Sequence, residues 1–86
     1  MDSKEVLKIY MTRFSENLNR IREEKYETMH DVGTNSSFDP SNYNKFEKGK
    51  GNPTLETILK LASVMQIDPK DLFDFDFDIK KHKIEM

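Results

Sequence analysis

Three lysines crowd between positions 45 and 50, with Glu47 the one acid among them, in the run Lys45-Phe46-Glu47-Lys48-Gly49-Lys50-Gly51-Asn52-Pro53-Thr54-Leu55-Glu56. Clustered ammonium groups suit phosphate, and the residues around them say how they are held. A helical stretch stops on Gly49, a tight basic loop follows, and Thr54 opens a second helix. Helix, short loop and helix, with lysines at the junction, are what a small DNA-reading domain needs. Plain solvated surface is the competing account of the same lysines. Other chemistries find less support. His30 and His82 are far apart in a chain without cysteine, so they read as surface histidines and no metal site is expected. Asp74, Asp76 and Asp78 alternate with phenylalanines and lack the Gly-containing loop of a calcium site. No nucleophile–base arrangement and no phosphate loop is legible, so neither catalysis nor a cofactor is expected.

The elements that must position these lysines can be read on both sides. From Lys4 to Lys25 there is no Gly or Pro, and Val6, Leu7, Tyr10, Phe14, Leu18 and Ile21 recur at spacings of three and four. That is one apolar stripe on a long helix, with Ser3 as its expected N-cap. Between Tyr26 and Phe38 the pattern weakens to a short helix that Thr28 would cap, with Gly33 and Asn35-Ser36-Ser37 as turn material. Asp39-Pro40 is a start signal: a capping Asp with Pro at the first helical position. On the helix it opens, Tyr43 and Phe46 face inward, while Ser41, Asn44, Lys45 and Lys48 fall on the other side. After Thr54, a stripe of Leu55, Ile58, Leu59, Ala62 and Met65 is expected to face the core. Asp68-Pro69 opens a last short helix through Leu72 and Phe73. Beyond it Phe73, Phe75, Phe77 and Ile79 alternate with Asp74, Asp76, Asp78 and Lys80, which predicts a strand with one apolar face. The final residues, Lys80 to Met86, read as frayed.

The chain's 86 residues, 35% hydrophobic and 35% charged, predict a single small core under a heavily charged surface. No apolar run approaches a membrane span and no signal-type stretch leads the chain, so a soluble, cytoplasmic protein is expected, with no membrane contact. The net charge of −2 would argue against nucleic acid if it were spread evenly. It is not: Asp68 to Asp78 carries −4, which leaves +2 for the rest. Acid gathers at one end of the chain and base at the helix junction.

A longer pattern runs through the same residues. Phe14, Leu18, Ile21, Arg22 and Glu23-Glu24-Lys25 are followed, without a gap in spacing, by Thr28, Val32, Gly33, Phe38, Tyr43, Phe46 and Glu47. Gly49, Asn52-Pro53, Thr54-Leu55, Leu59-Lys60-Leu61-Ala62 and Ile67-Asp68-Pro69-Lys70-Asp71-Leu72-Phe73 continue it in register. In this the chain resembles the lambda-repressor-like helix-turn-helix domain of phage repressors, Cro proteins and many small bacterial regulators. The likeness covers roughly Met11 to Phe73. It implies an all-α fold: a compact five-helix domain over residues 1–73, its helix-turn-helix at about 28–48, with 74–86 as an extended or strand-like tail.

The resemblance also assigns roles. The helix from about Asp39 to Lys48 would enter the major groove, where the four base pairs are distinguishable. Ser41, Asn44 and Lys45, with Asn42 at the edge of that face, would read bases, Lys on guanine and Asn on adenine. Lys48, Lys50, the amides around Gly51 and Asn52, and Thr28 at its helix terminus would hold phosphates. The family commonly places Gln where this chain has Met29 and Pro40, so base reading falls to the remaining polar residues. Arg22 and Glu47 are implied to meet as a partly buried structural ion pair. One short helix reads few base pairs, and family members usually dimerise on a two-fold site. The Phe75, Phe77 and Ile79 face is therefore a candidate dimer interface; folding back onto the chain's own core is the alternative. The expected function is a sequence-specific transcriptional regulator binding double-stranded DNA, a repressor acting as a homodimer. An antitoxin holding a toxin, or a protein-interaction module of the same fold without DNA binding, are the alternatives.

Overall fold

The longest element of the computed structural model is helix α1, Ser3–Lys25, about 35 Å from end to end at 1.5 Å per residue. The structure describes residues 1–25 and 40–86, and the side chains of 1–24 and 44–86. Asp2, not Ser3, caps α1: its carboxylate accepts from the Glu5 amide at 2.8 Å. A carboxylate satisfies an orphan donor and also complements the positive end of the helix. One face of α1 buries Val6, Met11, Phe14, Leu18 and Ile21.

Two further α-helices follow among the described residues, α2 at Pro40–Glu47 and α3 at Leu55–Met65, and then a 3₁₀ helix at Pro69–Phe73. Pro40 stands first in α2, where its missing N–H is no loss. Thr54 caps α3 by accepting from the Thr57 amide. Asp68 caps the 3₁₀ helix by accepting from Lys70. The core lies where α1, α3 and the 3₁₀ helix meet, and Phe14, Leu18, Leu61, Met65 and Leu72 fill its centre. Phe46 plugs α2 into the same core. Asn17, though buried, is satisfied: its amide donates to the carbonyls of Asp71 and Leu72, both at 2.9 Å, and its oxygen accepts from Arg20. It ties the 3₁₀ helix to α1.

The cap of α1 is not the one expectation corrected. The α3 stripe is rotated: Ile58, Leu61, Ala62 and Met65 are buried, while Leu55 is 82% and Leu59 59% exposed. Neighbouring elements cover only one flank of an apolar surface wider than they can reach. Of the five expected helices, four stand among the described residues, three α-helices and a 3₁₀ helix, and the one expected after Thr28 lies outside them.

The strand tail is corrected too. The described residues contain no strand. A strand needs a neighbour for its backbone groups, and this tail turns instead. The Asp78 side chain accepts from the Lys80 amide at 3.0 Å and its carbonyl from Lys81 at 3.1 Å. The period of two nevertheless does its sorting: Asp74, Asp76 and Asp78 are exposed, whereas Phe75 and Phe77 lie half-buried on α1. Tyr10 is their anchor, with ring centroids 5.1 Å from Phe75 and 4.8 Å, edge-on, from Phe77. The last residues are tied down rather than frayed, since the Glu85 amide donates to the Met1 carbonyl.

Candidate nucleic-acid interface

Helix α2 ends in a motif that aims the loop after it. The Lys50 amide donates to the Lys45 carbonyl at 3.1 Å and the Gly49 amide to the Phe46 carbonyl at 3.0 Å. These nested bonds are a Schellman closure with Gly49 in the left-handed position at φ 73°. Any side chain there would be strained. A Cβ there would stand 3.4 Å from the Ser15 hydroxyl and 3.6 Å from the Thr12 Cα, ordinary van der Waals contact, so the backbone conformation and not a lack of space calls for glycine. The Lys48 amide takes the Asn44 carbonyl.

Beyond Gly49 the chain is solvent-facing. Lys45, Lys48, Lys50, Gly51 and Asn52 are exposed and Asn44 is half-buried. Among the described residues the amides of Gly51 and Asn52 make no hydrogen bond, which leaves them open to an acceptor from outside. Gly51 has φ 85°, and the end of the Lys45 side chain lies across it, in the space a Cβ would need. The Lys45 ammonium sits 5.7 Å from the centroid of the Phe46 ring, a weak cation–π contact. Ser41 and Asn42 belong to α2, but their side chains, like all of Thr28, fall outside the description.

Charge at the site is sorted by a pairing across helices. Glu47 accepts from the Arg22 Nε, with the carboxylate side chain 8% and the arginine 17% exposed. The one acid of the 45–50 stretch is thereby engaged against α1, and the loop presents its lysines alone. Asn19, which had no place in the sequence reading, donates to the Glu47 carbonyl at 3.1 Å. Arg22 and Asn19 thus hold the same residue by its side chain and its backbone. A lone Asn on a helix carries no local signal for a carbonyl 28 positions away.

Phe75, Phe77 and Ile79 are not part of this assembly. Phe75 and Phe77 pack on Tyr10, and Ile79 is 55% exposed. Tyr10 and Asn19 are nine positions apart on α1, half a turn out of phase, so tail and loop sit on opposite faces of one helix. Among the described residues no helix is long and apolar enough to cross a membrane.

A profile of the helix-turn-helix family matches residues 18–72, more than half of the chain. No curated protein and no solved structure gave a match. The matched stretch contains the Arg22–Glu47 pair, the Schellman closure and the lysine loop, and it leaves out Tyr10, Phe75 and Phe77. The chain belongs to the lambda-repressor-like helix-turn-helix family, a family of DNA-binding transcription regulators.

Proposed function

We propose that this chain is a sequence-specific repressor that binds a two-fold DNA operator as a homodimer, with no catalysis and no cofactor. The observation that carries the reading is the loop after α2: exposed Lys48 and Lys50 beside open amides at Gly51 and Asn52, with the nearby acid drawn away by Arg22. Lysines and amides of this kind would neutralise and orient phosphates, which positions a protein without reading sequence. Reading falls to Ser41, Asn42, Asn44 and Lys45, with Lys45 leaving the Phe46 ring to reach guanine and Asn44 suited to adenine. With Phe75 and Phe77 committed to Tyr10, exposed Ile79 is the tail residue left to contact a second copy.

The test is selection from a random-sequence duplex library at low salt, followed by sequencing. An enriched palindrome is expected, bound more weakly by Asn44→Ala and Lys45→Ala. Retention without enrichment would overturn the base-reading part, and no retention would overturn DNA binding altogether.

A second reading, an antitoxin or other protein-binding regulator, draws on a different observation. An open apolar cavity of about 500 Å³ lies between α1 and the tail, lined by residues such as Val6, Leu7, Tyr10, Phe77 and Ile84, all outside the family match. Loss of a co-purifying protein on Leu7→Ser, with DNA selection intact, would favour this reading.

A further inference from the structure

We propose that Asn19 is a positioning residue for DNA recognition, the donor that fixes the loop end of α2. This rests on the DNA-binding reading above and adds to it a residue on a different helix.

A helix leaves its last four carbonyls without partners. In α2 three are closed locally: Asn44 by the Lys48 amide, Lys45 by Lys50 and Phe46 by Gly49. The fourth, Glu47, lies beyond the reach of the closure. Its acceptor is met from α1 by the Asn19 amide at 3.1 Å. Arg22 holds the carboxylate of the same residue. Ser15 faces Gly49, its hydroxyl 3.4 Å from where a Cβ at that position would stand. Ser15, Asn19 and Arg22 follow one another at spacings of four and three, so they form one stripe of α1 under the C-terminus of α2. The backbone leaves that clamp directly into Lys48, Lys50 and the open amides of Gly51 and Asn52. A shift at Glu47 is passed to every phosphate-facing group of the loop and to Lys45, two residues back.

Asn17 supplies an internal contrast. It lies two residues from Asn19, about 200° around the helix, and its bonds go to Asp71 and Leu72. It is buried, whereas Asn19 is half-buried. Asn17 therefore secures the fold on one flank, and Asn19 sets the direction of the DNA-facing loop on the other.

The experiment compares Asn19→Ala, Asn19→Gln and Asn17→Ala in the full chain. Three quantities are read: the melting temperature, affinity for a wild-type-selected duplex against a random duplex of equal length, and amide hydrogen exchange over Lys48 to Asn52. Asn19→Ala should bind the selected duplex about 5- to 10-fold more weakly, the worth of one hydrogen bond. Its affinity for the random duplex should change less, since the lysines remain. Exchange at Gly49 and Lys50 should quicken while the melting temperature stays near that of the parent. Asn19→Gln, which keeps the donor, should recover part of the loss. Asn17→Ala should lower the melting temperature and keep the preference for the selected duplex. Asn19→Ala with unchanged discrimination, or with affinity lost only in step with melting, would overturn the proposal. If the parent protein selects no duplex, the DNA reading fails by itself. The exchange data then still decide the clamp, and unchanged exchange at Gly49 and Lys50 would end it.

Discussion

Removing the guanidinium from the Arg22–Glu47 pair tests what holds the DNA-facing helix to the core. Arg22→Met keeps most of the apolar stem but leaves a carboxylate with 8% exposure facing no cation. Stranding a charge at that depth costs about 3 kcal/mol. Glu47→Leu is milder, about 1–2 kcal/mol, because Arg22 at 17% exposure can turn its head group toward water on a flexible stem. The double variant puts Met against Leu and should lose only about 1 kcal/mol, since an apolar pair dispenses with the desolvation of both ions. The singles together therefore overshoot the double by roughly 3 kcal/mol, the coupling energy of the pair. Arg22 has a further partner, so the single substitution alone overstates the ion pair and the cycle is required.

The scale matters because a domain of 86 residues has a total stability of only about 4–13 kcal/mol. Urea unfolding followed by circular dichroism, analysed for the parent, two singles and the double, gives the coupling directly. Additive losses, with coupling below about 0.5 kcal/mol, would refute the reasoning and make the pair an ordinary surface contact. Restored stability in the double need not restore DNA binding. Its loop would keep the Asn19 bond but lose the Arg22 hold on Glu47.

Other perturbations read other parts of the fold. Gln66 ends α3 in the left-handed region at φ 57°, where a Cβ is disfavoured, so Gln66→Gly should be more stable than Gln66→Ala, which gives up the same side-chain contacts, by about 0.5–1 kcal/mol; an equal or lower urea midpoint for the glycine variant would contradict this. Phe77 touches Tyr10 and stacks on His82 at 4.8 Å, so Phe77→Ala should cost about 2 kcal/mol and speed amide exchange along the tail; exchange unchanged there would mean the ring holds nothing down. Burial raises the Tyr10 phenol above its ordinary 10.0. The folded state then holds the proton more tightly, and this stability is full below about pH 10 and lost as pH rises through the folded pKa. Unfolding of Tyr10→Phe and parent should show the parent losing ground only above that pH; a pH-independent difference would exclude the phenol as the source.

Signals that act within a few residues were legible. Thr54 and Asp68-Pro69 open their helices and Gly49 closes α2, because caps and left-handed turns are chosen by local backbone geometry. The Arg22–Glu47 contact came from resemblance, since no short-range rule joins positions 25 apart. Periodicity located the apolar surface of α3 but not which flank of it has neighbours, and Leu55 and Leu59 fell on the uncovered side. The same limit explains the tail. Alternation correctly put Phe75 and Phe77 on the face opposite Asp74 and Asp76, yet it cannot say whether that face meets a sheet or a helix. Asp78, the residue after Phe77, decides against a strand by capping a turn.

The opposition of tail and loop across α1 bears on the chain's acidity. Asp74, Asp76 and Asp78 point to solvent from one face, and Lys48 and Lys50 lie beyond the other, at least one helix diameter, roughly 10 Å, away. In about 0.15 M salt the screening length is near 8 Å, so the acids should hardly be felt at a phosphate docked on the loop. In about 0.01 M salt it is near 30 Å, and the repulsion returns. The apparent salt dependence of DNA binding should therefore be shallower than the lysines alone would produce, because lowering salt strengthens attraction and repulsion together. Replacing the three aspartates by asparagine should raise affinity for a duplex at low salt, steepen the salt slope, and leave affinity at about 0.15 M salt almost unchanged. An equal gain at both salts would mean that the tail approaches the DNA directly, and that the loop and tail do not act on separate faces of α1.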